Sequence, residues 1–266
     1  MPEKKTDDAP TTADNQRTHL NRRELLVAAG AKLGSSMAPH TTLTAQTRGS
    51  TRPAVVFTDT TIVTNDPQRR TLLNVSLAVQ DELIAAIGDT GDVLERFPDA
   101  EVYDGRRKAL LPGMINCHAH LSATIAKGFN EDYGFPNSLA LEESPASLLS
   151  SEEAALMSQL AAIEGLRAGT TTMVQNTGGI ARDARRLAQT GQRWVFAESV
   201  RDITTVDGPM SPPRLAASVP PEFSDQLRNE GMQRIYDLFE NWHGKQNGLI
   251  SVFPAAALTE LASPEL

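Results

Sequence analysis

Apolar and polar positions alternate in short runs between residues 53 and 107. Residues 54–64, AVVFTDTTIVT, are rich in β-branched side chains and close on the turn NDPQ, which predicts a strand. NVSLAVQ (74–80), the pair Asp81-Glu82 and LIAAIG (83–88) read as a hairpin, and AEVYDG (100–105) as a further short strand. These runs predict a small β subdomain over residues 53–108. From Ala109 onward the pattern changes. ALLPGMIN (109–116) is a continuous apolar run of the kind a buried parallel strand shows. In residues 147–169, Leu156, Leu160, Ile163 and Leu166 recur at helical spacing. Ser150 with Glu153 forms a capping-box pattern at the start of that helix, and Gly169 is its stop. TTTMVQ (170–175) is a strand, residues 178–191 a helix, and RWVFAES (193–199) a strand. A long loop over residues 200–221 carries five prolines. A helix over 222–244 and a strand, GLISVFP (248–254), follow.

Strand–helix alternation implies βα units and a parallel sheet. Residues 109–266 supply four strands, whereas a closed eight-stranded barrel takes ~250 residues. The expected fold class is therefore α/β, the first half of a (β/α)8 barrel preceded by a small β subdomain.

The N-terminus adds an address. Residues 1–20 are polar, and Arg22-Arg23 precedes the weakly apolar stretch 25–38. Small residues follow, with LTAQ near Ala45 as a cleavage region. Residues 1–46 thus resemble a polar leader with a bacterial twin-arginine export signal, which predicts a periplasmic protein. The competing reading is a frayed amphipathic helix on a cytoplasmic protein.

Composition narrows the partners. The net charge is −8, and no basic stripe with interleaved aromatics occurs, so a nucleic-acid partner is not expected. No run approaches 18 apolar residues, so no membrane span is expected. The single cysteine, Cys117, cannot form an internal disulfide.

The chemistry centres on His118 and His120, two of five histidines. Residues i and i+2 of a strand share a face. At the C-terminal end of a barrel strand both imidazoles point toward the mouth, where such barrels hold their active sites. Two neutral imidazoles on one face can share a divalent metal, commonly zinc. Pro112-Gly113 shapes the strand entry and lets the backbone approach its neighbours closely. Cys117 points to the opposite face. His243, at a helix end, reads as a surface or capping histidine, and His19 and His40 lie in the leader. Phe129, Tyr133 and Phe135 either wall a pocket or pack the loop that follows. Lys127 is a solvated charge and the Glu152-Glu153 pair a helix-start feature. Gly178-Gly179 alone is no phosphate loop, and no G-x-S-x-G elbow occurs.

The segments LLPGMINCHAHLSAT, EGLRAGTTTMV and VQDELIAAIG together resemble the amidohydrolase superfamily. Within it they are similar to the branch of cytosine, methylthioadenosine/S-adenosylhomocysteine and triazine deaminases and hydrolases. The resemblance covers roughly residues 53–266. It implies a metal-dependent TIM-type barrel with a small β-sandwich built from both chain ends. It implies a divalent metal, usually zinc and sometimes iron, with His118 and His120 as two ligands. It also implies a hydroxide nucleophile that attacks a non-peptide C–N bond of a small ring substrate, such as a nucleobase, nucleoside or triazine. An oligomer is compatible with it. Gln175 stands where relatives often place an acidic residue; it either lines the mouth or caps the following turn. Glu198, with Arg201 and Asp202, either touches substrate or forms a solvated ion pair. The remaining family ligands, two histidines and an aspartate of later strands, have no counterpart, and Ala255 follows Pro254 where relatives carry a histidine. The catalytic residues beyond the metal pair are therefore unassigned. The expectation is an N-terminal fragment of an amidohydrolase. The alternatives are a catalytically inactive truncated remnant, or a cyclic-amide hydrolase of the dihydroorotase or imidazolonepropionase type.

Overall fold

The computed structural model describes residues 52–128, 148–207, 214–215 and 220–266. The leader (1–46) and Phe129, Tyr133 and Phe135 lie outside the described residues. Strand β1 (Val55–Val63) is buried at alternate positions, Val56, Thr58, Thr60 and Ile62. It pairs antiparallel with β2 (Thr71–Gln80), which returns antiparallel into β3 (Leu83–Gly88). The hairpin turn falls at Asp81, whose φ of 55° suits an aspartate better than a β-branched residue.

A short helix that the strand-like reading of this region does not anticipate, α1 (Thr90–Arg96), follows β3. Asp89 caps it, accepting from the Gly91 N–H at 2.8 Å. Its one buried residue, Val93, joins Val56 and Ala78 in a small core. β4 (Glu101–Asp104) and β5 (Ala109–Leu110) run parallel to β1, opposite Val55–Thr58 and Thr61–Ile62 respectively. The described residues thus supply one sheet with a helix packed against it.

The apolar run 109–116, expected as one strand, is divided. Ala109–Leu110 closes the first sheet, and β6 (Met114–Ala119) opens the second. Pro112 offers no N–H to either ladder. Gly113 lies so close to its neighbour that a Cβ there would stand 2.0 Å from Thr171 Oγ1. Pairing then begins at Met114, whose N–H donates to Gly169 at 2.9 Å.

Beyond a 3₁₀ turn (Leu121–Ala126) comes α2 (Ser151–Arg167), with the Ser150–Glu153 capping box formed. β7 (Thr170–Thr177), α3 (Ala181–Ala188) and β8 (Arg193–Val200) follow. A small antiparallel pair, β9 (Val206–Asp207) with β10 (Arg214–Leu215), lies within the proline-bearing loop. The chain then forms α4 (Asp225–Trp242) and β11 (Ile250–Ala256). The second sheet has the order β6-β7-β8-β11, every pair parallel. This is the first half of a barrel, as its βα pattern predicts.

The core lies between this sheet and its helices. It contains Met173, Trp194, Phe196, Ile250 and Val252 from the strands, with Ile180, Ala184, Leu187 and Leu238 from the helices. Trp194 Nε1 donates to the Leu187 carbonyl at 2.9 Å. α4 approaches β8 through Gly231, where a Cβ would meet Val200 Cγ1 at 2.1 Å.

The helical spacing of leucines in α2 misidentifies its buried face. Ala154, Ala155, Ser158, Ala161 and Ala162 are buried, while Leu156, Leu160, Ile163 and Leu166 remain 40–47% exposed. The reason is steric. Small residues let α2 approach its neighbours, and Gly165 leaves room for Met173, whose Cε a Cβ there would meet at 2.7 Å. Leu111, Met114 and Ile115, leading into and along β6, are also more than half exposed.

Candidate metal and active site

The positions at the strand ends follow from the pleat. On β7 and β8 the side chains of Met173 and Phe196 enter the helix-facing core. Alternation sends Gln175 and Glu198 to the same side. The opposite side, the barrel interior, receives Asn176 and Ser199, which are half-buried. On β6, Ala119 packs against the helix-side core, so His118 and His120 turn inward.

The register of β6 against β7 shifts between Asn116 and Ala119. There the His118 N–H donates to the Asn116 Oδ1 at 3.1 Å, so the strand is bulged immediately before the first histidine. The two rings stand nearly perpendicular at 84°, with centroids 4.7 Å apart. Their Nε2 atoms converge to 2.9 Å. Burial, and then the neighbouring His118, push the His120 pKa below its ordinary value of 6.5, against the opposing pull of Asn176. The ring is therefore neutral near pH 7, the state in which imidazole binds metal.

These features fit a nitrogen-ligated divalent ion. His118 and His120 would hold it, and they provide two donors. Among the described residues no group of three or more histidine, cysteine, aspartate or glutamate side chains is placed to hold a metal. The exposed Cys117 does not join the pair.

The two residues expected to meet substrate are placed elsewhere. Gln175 is fully buried, and its Oε1 accepts from the Leu121 N–H at 3.1 Å. Glu198 is 2% exposed; it accepts from the N–H groups of Gly179 (2.7 Å) and Ile180 (2.9 Å) at the start of α3. Arg234 Nε of α4 reaches the same carboxylate at 3.2 Å. Glu198 ties β8 to α3 and α4, and Gln175 ties β7 to the 3₁₀ turn after β6; period-2 alternation points both away from the interior. The interior residues that the sequence reading missed are Asn176 and Ser199, whose side chains hydrogen-bond each other across β7 and β8. Both have the parity opposite to Met173 and Phe196, which is the signal that would have found them.

Asp202, read as a solvated charge or a substrate contact, is buried. It accepts from the Ser263 N–H at 2.8 Å and its hydroxyl at 2.6 Å, and from Arg228 Nη1 at 3.1 Å. His243 ends α4, stacked 4.2 Å from Phe239, with Nδ1 accepting from the Val252 N–H at 3.2 Å. It is a structural cap. Lys127 pairs with Glu164, and Glu152 with Arg186.

Residues 109–259 match the family model described as the amidohydrolase family. The chain is 32% identical over 154 residues to a 5-methylthioadenosine/S-adenosylhomocysteine deaminase of Thermodesulfovibrio yellowstonii, covering 55% of this chain and 34% of that protein. Among solved structures it is similar to a triazine hydrolase from Arthrobacter aurescens, with a TM-score of 0.63 and 19% identity over 81% of this chain and 49% of that one. It is also similar to an adenosine deaminase from Xanthomonas campestris with bound zinc, with a TM-score of 0.55 and 21% identity over 76% and 42% of the two chains. The chain thus spans less than half the length of each of these proteins. Fold and matched segment together define a parallel β/α-barrel domain. The chain belongs to the amidohydrolase family.

Proposed function

We propose that this chain carries the first metal-binding element of a hydrolase that cleaves non-peptide C–N bonds, and that its reaction is deamination of an adenosine-like nucleoside. The observation that carries the metal site is the convergence of His118 and His120 Nε2 at 2.9 Å. The substrate class is supported by the deaminase similar to it over 154 residues, and zinc by the adenosine deaminase of similar fold. A divalent ion bound there supplies activation of water at neutral pH. The protein's own residues would hold it: His118 and His120, with the bulge at Asn116 setting His118 against its partner. A catalytic zinc site takes three protein ligands, so the further donors come from outside the described residues. Export by the twin-arginine route is proposed for residues 1–46, and Arg22→Lys with Arg23→Lys should then retain the protein in the cytoplasm.

The test is metal stoichiometry with product release. Full chain is stripped with chelator and titrated with Zn2+, and ammonia release from methylthioadenosine and from an amino-substituted triazine is followed. Saturable binding that is lost in both His118→Ala and His120→Ala is expected. Equal zinc binding by the double alanine variant refutes the site. Ammonia from the triazine, with none from the nucleoside, refutes the substrate class.

A further inference from the structure

We propose that Gln175 is the positioning residue of the histidine pair: by gripping the backbone immediately after His120, it holds that imidazole where its Nε2 meets that of His118. The inference rests on the metal-site reading above. β6 pairs with β7 only as far as Ala119, which lies opposite Gln175. Past that point β7 continues, and Gln175 reaches the chain that follows His120. On the helix side, Gln175 Oε1 accepts from the Leu121 N–H across 54 positions of sequence. His120 is the N-terminal cap of the 3₁₀ turn and makes no side-chain capping bond to it. The first N–H groups of such a turn have no partner within it. Gln175 supplies one for Leu121, so the exit direction of the chain from His120 is set from β7.

The remaining half of the amide shows that the residue is not placed there for stability alone. Gln175 Nε2 is buried without a hydrogen-bond partner among the described residues. The amide cannot be turned to relieve this, because the Leu121 N–H requires the oxygen. A buried, unpaired amide N–H is destabilising, whereas an apolar side chain of like shape has no such penalty. Two residues earlier on the same face, the chain carries Met173 in the core. The one bond that distinguishes glutamine from methionine at this position is the bond to Leu121.

That contrast gives the experiment. Gln175→Met removes the orphaned N–H and the acceptor together. Gln175→Glu keeps an acceptor. Zinc affinity of the full chain is measured by competition with a chromophoric chelator, and the visible spectrum of the Co2+ form and the thermal midpoint of the metal-free form are recorded. A positioning role predicts that Gln175→Met lowers zinc affinity about 10–100-fold. It also predicts a changed Co2+ spectrum, with Gln175→Glu binding zinc close to wild type; the metal-free midpoint should change little, because the Leu121 N–H left without an acceptor is offset by removal of the orphaned Gln175 Nε2. Wild-type affinity in Gln175→Met, or weakened affinity in a folded Gln175→Glu, overturns the inference while leaving the metal site standing. Absence of zinc binding by the wild-type chain overturns the metal-site reading and this inference together.

Discussion

Replacing Glu198 with alanine separates its observed structural role from a role in meeting substrate. The carboxylate is 2% exposed and accepts from two N–H groups at the start of the eight-residue helix α3. Loss of the acceptor leaves the Ile180 N–H, itself in a fully buried residue, unsatisfied, at about 1–3 kcal/mol. The Gly179 bond is only part-buried, unlike that of Ile180. Water replaces its partner there, and the loss is about 0.5–1.5 kcal/mol. A negative charge at a helix N-terminus contributes a further ~0.3–1 kcal/mol. Arg234 is 47% exposed on its side chain, so its ion pair is screened and contributes ~0–1 kcal/mol. Together these give a destabilisation of about 2–6.5 kcal/mol for Glu198→Ala. Glu198→Gln, which keeps one acceptor oxygen, should lose roughly half as much. Urea unfolding followed by tryptophan fluorescence reads the change directly, because Trp194 is fully buried in the same half-barrel. An unchanged slope with a lower midpoint is expected. Zinc stoichiometry should not move. A shift below ~0.5 kcal/mol, the range of ordinary surface substitutions, would refute the capping account.

Three further outcomes follow from the packing and charge. Burial opposes the charge on Asp202, but the hydrogen bonds from Ser263 and Arg228 outweigh it and hold its pKa below the ordinary 3.8. Its stabilisation is therefore complete above the unfolded value of ~3.9 and is lost as pH falls through the lower folded value. Stability measured against pH below 4 should fall more steeply in wild type than in Asp202→Asn. Gly231→Ala should cost about 1–3 kcal/mol by overpacking, with part of the loss recovered when Val200→Ala removes the opposing methyl groups; denaturant midpoints of the single and double variants test this. Leu160→Gln, on the exposed stripe of α2, should stay within ~0.5 kcal/mol of wild type. By contrast, Ala162→Leu, at a fully buried position, should lose ~1–3 kcal/mol in the same assay.

Much of the half-barrel was legible because local chemistry and tertiary role coincide. Ser150 and Glu153 form their capping box as their spacing predicts, and Asp81 sits at the hairpin turn. The H-x-H pair shares a face because strand geometry requires it. Where two local signals compete, the sequence misleads. Hydrophobicity favours the leucines of α2 as its buried face, but the alanines pack closer and are buried. Apolar character joins residues 109–116, yet Pro112 and Gly113 divide them between two sheets. α1 is short and set among strands, so its signal rests on the Asp89 cap. For Gln175 and Glu198 the missing information was parity. Chemistry marked them as site residues, while a count of two from Met173 and Phe196 turns them toward the helices.

The parallel sheet places each strand beside the one made before it, β6 to β7 to β8 to β11. Such an arrangement can grow from one edge as the polypeptide leaves the ribosome, each new βα unit docking on a surface already formed. The histidine pair gains this support early in that sequence, because Gln175 belongs to the second strand added. Glu198 and Arg234 join α3 to elements made later still. In chain order, α2 and the strand that carries Gln175 are therefore made before the elements that hold α3.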